Sequence, residues 1–109
     1  MFESNFDKQL KCDVLVVGGG IAGCFAAIKA REHGAEVILV DKGLVGKAGQ
    51  SPYANSFLVF NPEWGHKLED WMTHINRTSE YVNHRGWTEI TIMESYARYL
   101  DLLSYGIQF

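Results

Sequence analysis

Asp13-Val14-Leu15-Val16-Val17-Gly18-Gly19-Gly20-Ile21-Ala22-Gly23-Cys24 is the stretch that decides the fold. Its apolar run is rich in β-branched residues and stops at three glycines, the pattern of a strand buried on both faces, as in a parallel sheet. Beyond the glycines, Ile21, Cys24, Phe25 and Ile28 fall at helical spacing, with Ala22, Ala26, Ala27 and Ala30 as small helix-favouring residues between them. The spacing predicts a helix over about 21–33, ended by Gly34 in the left-handed conformation that glycine adopts without Cβ strain. Glu36-Val37-Ile38-Leu39-Val40 predicts a second strand, closed by Asp41. Strand, tight turn, helix and strand make one βαβ unit over 12–41, with the right-handed crossover expected of parallel strands.

Each small residue of Gly18-x-Gly20-x-x-Gly23 has a separate task. Gly18 permits the tight exit from the strand, Gly20 lets backbone approach a pyrophosphate with no Cβ between them, and Gly23 lets helix and strand pack closely. The helix N-terminus, at Ile21 and Ala22, offers unsatisfied N–H groups and the positive end of its dipole to phosphate charge. Asp41 lies 23 residues beyond Gly18, close to the spacing of roughly 20 for a carboxylate that holds a ribose hydroxyl. An acid here disfavours a 2′-phosphate, so the adenosine of FAD or NAD is preferred over NADP.

Residues 42–66 hold Gly43, Gly46, Gly49, Pro52, Pro62 and Gly65, too many breakers for a long helix. Leu58-Val59-Phe60 is expected as a short strand within this loop. From Lys67 the pattern turns helical, and the segment 67–105 is expected to be helical apart from one break. Leu68, Trp71, Met72 and Ile75 mark the buried face of a first amphipathic helix, which also makes Trp71 a core residue. Asn83-His84-Arg85-Gly86 is expected to interrupt, and Ile90, Met93, Ala97, Leu100 and Ser104 to form the face of a second helix ending before Gly106. Residues 1–11 are polar and mixed and are expected to be a loose lead-in.

Composition excludes several classes. The chain has 109 residues, 47% of them hydrophobic and 21% charged, with a net charge of −3. That is an ordinary globular make-up, too short for separate substrate and cofactor domains. Residues 1–62 carry six acids and six bases and residues 63–109 seven acids and four bases, so no basic patch invites nucleic acid or anionic membrane. Cys12 and Cys24 lack zinc or redox-motif spacing and read as buried thiols in a reducing compartment. His33, His66, His74 and His84 share no metal-ligand spacing, so no metal is expected. The N-terminus has no secretory h-region and no stretch is long enough to span a membrane, so a cytoplasmic location is the expectation. In that compartment the sequon at Asn76-Arg77-Thr78 is a chance match.

The glycine-studded loop after Asp41, Lys42-Gly43 and then Gly46-Lys47-Ala48-Gly49-Gln50-Ser51, is longer than a simple NAD domain needs. With it, the chain resembles the flavoprotein subunits of the fumarate reductase and succinate dehydrogenase family, which includes L-aspartate oxidase and the adenylylsulfate reductase α-subunit. The resemblance rests on the first strand and glycine turn, on Gly34-Ala35-Glu36-Val37-Ile38-Leu39-Val40-Asp41-Lys42, and on the loop. It extends through Leu68-Glu69-Asp70-Trp71 to the closing Leu102-Leu103-Ser104-Tyr105-Gly106-Ile107-Gln108-Phe109.

That resemblance implies an α/β fold, a Rossmann-like βαβ unit followed by a helical pair, as the incomplete N-terminal part (1–109) of one FAD-binding domain. It implies that Gly18, Gly20 and Gly23 hold the pyrophosphate, with Ile21 and Ala22 at the helix start, that Asp41 holds the adenosine ribose, and that the 46–54 loop, including Gly49, Gln50 and Ser51, runs beside the diphosphate and flavin. Lys42 is a candidate to offset the diphosphate charge. Two departures stand out. The family commonly has a glycine pair where this chain has Ser56-Phe57 after Ser51-Pro52-Tyr53-Ala54-Asn55, and Gln50 replaces the histidine that carries covalent flavin in succinate dehydrogenases. FAD is therefore expected to be noncovalent. The parent would be an FAD-dependent oxidoreductase partnered by an electron-transfer subunit. The family's dicarboxylate-binding and proton-delivering groups lie downstream, so no catalytic residue is assigned and this segment alone is expected to be inactive. The competing readings are an NAD-binding module of another dehydrogenase and a non-catalytic Rossmann-like fragment.

Overall fold

The computed structural model describes residues 8–47, 49–54 and 56–109. Most of the lead-in (1–7), together with Ala48 and Asn55 of the long loop, lies outside them. The chain divides into two compact units, residues 1–55 and 56–109.

In the first unit, β1 (Val14–Val17), α1 (Ile21–Glu32) and β2 (Val37–Val40) follow in the expected order. The strands pair in parallel with Val14 opposite Val37 and Val17 opposite Val40. The Gly18 N–H extends the pairing by donating to the Val40 carbonyl at 2.7 Å. Gly34 ends α1 at φ +86°, its N–H donating to the Arg31 carbonyl while the Ala35 N–H donates to that of Ala30.

One expectation fails here. β1 is not buried on both faces: Val14 and Val16 are half-buried, but Leu15 and Val17 are 57% and 79% exposed. A strand's side chains alternate between faces. The one helix packed on this pair, α1, covers a single face, and among the described residues of this unit no element covers the other.

The second unit holds α2 (Leu68–Thr78) and α3 (Arg85–Ser104) around a core of Phe60, Ile92 and Leu102. Leu68, Trp71, Met72 and Ile75 are half-buried and Glu69, Asp70 and Arg77 exposed, as the amphipathic pattern predicts. The Trp71 ring meets Phe60 edge-on with centroids 5.4 Å apart. Leu58-Val59-Phe60 is not a strand. The Phe60 N–H donates instead to the Ser95 Oγ at 2.8 Å, and Ser95 donates on to the Ile92 carbonyl at 2.7 Å. A buried backbone donor needs a partner, and a helix serine supplies it here.

The predicted face of the last helix also fails. Ile90, Met93, Ala97, Leu100 and Ser104 are exposed, whereas Ile92, Ser95 and Leu102 are buried. Apolar residues occur all around α3, so periodicity alone offers more than one stripe, and packing on Phe60 selects the one that includes Ser95. The break between the helices falls at 79–84, earlier than expected. There the Asn83 amide donates to the Asn76 Oδ1 and Thr88 Oγ1 and accepts from the Ser79 Oγ, tying the end of α2 to the start of α3. The His84 ring caps α3, accepting from the Trp87 N–H. Among the described residues no helix is long and apolar enough to cross a membrane.

Candidate functional site

The site is the turn between β1 and α1. Gly18 leaves the strand at φ +108°, a conformation that costs any residue with a Cβ. Gly20 is the N-cap of α1 in ordinary extended backbone, so torsion does not demand a glycine there. Packing does not demand one either: a Cβ at Gly20 would meet no protein atom within 4 Å, so the position is open on that side. At Gly23 the reverse holds. A Cβ there would overlap the carbonyl oxygen of Gly18 and approach the Val16 Cγ1 at 3.4 Å, so this glycine serves the packing of helix on strand.

α1 begins with no side-chain cap and no acid in its first turn. Its first intrahelical bond is from the Cys24 N–H to the Gly20 carbonyl, which leaves the preceding N–H groups without partners in the helix. Ile21 and Ala22, which carry them, are exposed. A helix start of this kind attracts an anion through its N–H groups and dipole together.

Asp41 follows β2 and turns back to the glycines. Its Oδ2 accepts from the Gly19 N–H at 2.5 Å and its Oδ1 from the Gly43 N–H at 2.7 Å. These bonds, the Gly19 bond first, hold the carboxyl below the usual aspartate range; partial burial opposes them and the Lys42 charge assists. An ionised carboxylate has about four acceptor positions, so two remain for a further donor such as a ribose hydroxyl. A carboxyl with a lowered folded-state pKa stabilises the fold above its ordinary pKa, and the contribution is lost as pH falls through the folded value. The tie at Asp41 is therefore expected to survive mild acid. A carbon-13 carboxyl titration should place its midpoint below the ordinary value of about 3.9, and a midpoint at or above that value would contradict the two bonds.

The loop after β2 returns to the same turn. The Gly46 N–H donates to the Gly19 carbonyl at 3.2 Å, which also receives the Cys24 thiol at 3.5 Å. A Cβ on the buried Gly19 would lie 3.0–3.1 Å from Val45, and one on Gly49 would lie 3.6 Å from the Gly20 Cα. The structure thus brings together Gly18, Gly20, Ile21, Ala22, Gly23, Asp41 and Gly49. Lys42 is exposed beside Asp41. Gln50 and Ser51 are exposed at the start of the short 3₁₀ turn Ser51–Tyr53 that follows Gly49, where their backbone carbonyls accept from Tyr53 and Ala54.

Sequence reading missed Gly19, Gly43 and Val45. Gly19 occupies an unspecified position of the glycine motif; the run of three glycines was its only signal. Among the described residues no cluster of His, Cys, Asp or Glu could hold a metal ion, and Cys12 and Cys24 are free thiols.

The family described as FAD binding domain matches residues 13–109. The chain is 36% identical over 106 residues to a fumarate reductase (CoM/CoB) subunit of Methanothermobacter marburgensis, a match covering 91% of this chain and 19% of that protein. It is 42% identical over 45 residues to digeranylgeranylglycerophospholipid reductase of Sulfolobus acidocaldarius, 41% of this chain and 10% of that one. Over 34 residues it is 53% identical to dihydrolipoyl dehydrogenase of Acholeplasma laidlawii, 31% of this chain and 10% of that one. The chain spans less than a fifth of the length of each of these relatives. No solved structure matches it significantly. Matched along nearly its whole length, the chain belongs to the FAD binding domain family, and its cofactor is FAD.

Proposed function

We propose that this chain holds the ADP part of FAD in an oxidoreductase of the fumarate reductase and succinate dehydrogenase type, for hydride transfer to or from a small carboxylate substrate. The observation that carries the reading is the open space at Gly20, facing an α1 N-terminus that has neither a capping side chain nor an acid. The N–H groups of Ile21, Ala22 and Gly23 hold the diphosphate, with Gly18 shaping the turn and Gly23 keeping the helix close to the strand. Asp41 accepts from the adenosine ribose through its free lone pairs, and Lys42 offsets phosphate charge. Gly49 brings the loop to the turn, and Gln50 and Ser51 continue towards the flavin. FAD, when bound, supplies the two-electron chemistry, and the protein orients it and excludes side reactions.

Substrate-binding and proton-delivering groups are assigned to the remainder of a longer parent chain, which makes this segment inactive alone. A cytoplasmic location and a partner electron-transfer subunit complete the proposal. Because Gln50 is not a nucleophilic imidazole, the flavin is noncovalent. Purified protein is expected to be yellow, and acid precipitation should leave all flavin absorbance in the supernatant. Flavin remaining on the pellet would overturn the noncovalent assignment. Colourless protein whose melting temperature rises with NAD but not with FAD would overturn the cofactor site itself.

A further inference from the structure

We propose that Asp41 is a positioning residue as well as a ribose acceptor: its carboxylate clasps Gly19 of the glycine turn to Gly43 of the following loop and sets the shape of the anion site before any nucleotide arrives. The inference rests on the FAD site proposed above and concerns a different duty of the same side chain.

The clasp uses one oxygen for each N–H, Oδ2 for Gly19 and Oδ1 for Gly43. Charge-assisted bonds of this kind are about twice as strong as neutral ones. Gly19 is held on every side that a glycine presents. Its N–H goes to Asp41, its carbonyl accepts from Gly46 and Cys24, and its Cα lies beneath Val45. Because the Gly19 amide is turned to the carboxylate, the anion is left to the N–H groups at the start of α1, and the loop after Asp41 is tied back to the glycine turn through Gly43 and Gly46. A residue serving the ribose alone would not need both oxygens engaged with backbone.

Asp41→Asn separates the two duties. An asparagine can still exchange a hydrogen bond with a ribose hydroxyl, but its NH₂ cannot accept from a second backbone N–H, so the clasp is lost. In the free 109-residue chain, the Gly19 and Gly43 amides of the variant are expected to exchange with deuterium at least tenfold faster than in the wild type, while the interior amides of α1 keep their rates and report that the unit is folded. Titration with inorganic pyrophosphate and with ADP, followed by amide chemical shifts, should show both affinities falling by a similar factor.

Unchanged exchange at Gly19 and Gly43 would overturn the clasp. So would a loss of ADP affinity with pyrophosphate affinity intact, which assigns Asp41 to the ribose only. If Asp41→Asn fails to fold, Gly43→Ser, which keeps the backbone donor, and Gly43→Pro, which removes it, give the same comparison at Gly19: faster exchange in the proline variant alone supports the clasp, and equal exchange overturns it. Wild-type protein that binds neither probe, yet shows the exchange difference, would defeat the FAD site while leaving the clasp in place.

Discussion

Replacing Gly23 by alanine is expected to lower the melting temperature by about 8–16 °C, corresponding to about 2 kcal/mol for a domain of this size, and to abolish FAD retention. Two effects oppose each other. Alanine in a helix interior is favoured over glycine by about 0.8–1.0 kcal/mol. Against this, the new methyl would overlap the Gly18 carbonyl oxygen, and overpacking of this kind typically costs about 1–3 kcal/mol or occasionally more. The clash prevails because the obstacle is backbone. A side chain could rotate away, but the Gly18 carbonyl belongs to a turn already fixed by the bond from its N–H to Val40. Relief requires α1 to move off β1, which carries the N–H groups of Ile21 and Ala22 away from the diphosphate. Thermal melting by circular dichroism and flavin absorbance after gel filtration measure the two consequences. A Gly23→Ala protein that melts at or above the wild-type temperature would remove the packing role.

Gly20→Asp is expected to do the opposite to stability and the same to binding. No protein atom lies within 4 Å of the new Cβ, and the residue already has the extended backbone of an N-cap. Aspartate is among the best N-caps and its charge suits the helix dipole, a combination worth about 0.5–1 kcal/mol to the free protein. The same carboxylate would stand in the open space at Gly20 and repel a diphosphate held there. FAD affinity is expected to fall at least a hundredfold, about 2.7 kcal/mol, while the apoprotein melts at the same temperature or a few degrees higher. Retention of flavin by this variant would show that the diphosphate does not sit at Gly20.

The contrast between these two glycines shows how far the sequence could be read. Their spacing announced a strand, a turn and a helix, and assigned a ligand role to one and a packing role to the other. In the structure a Cβ at Gly23 would overlap the Gly18 carbonyl oxygen, whereas one at Gly20 would meet no protein atom within 4 Å. Asp41 was legible as an acid at the end of the second strand, and its spacing from the glycines pointed back to the turn. That its carboxylate already engages two backbone amides was not legible, because one of them belongs to Gly19, 22 residues away and at an unspecified position of the motif. The second unit was read less well. Its helices were visible in the periodicity, but the Leu58-Val59-Phe60 run was mistaken for a strand because the partner of the Phe60 N–H is a serine 35 residues downstream.

By itself, then, the sequence determined the β1–α1–β2 order, the torsion that demands glycine at 18 and 34, and the need for a small residue at 23. These follow from steric limits and side-chain periodicities acting over a few neighbouring residues. Only the tertiary structure decided which stripe of α3 is buried, which face of β1 stays exposed, and that the loop from Gly43 to Gly49 returns to Gly19 and Gly20. Those outcomes depend on which distant backbone donors and apolar surfaces find each other, and a local pattern holds no record of such meetings.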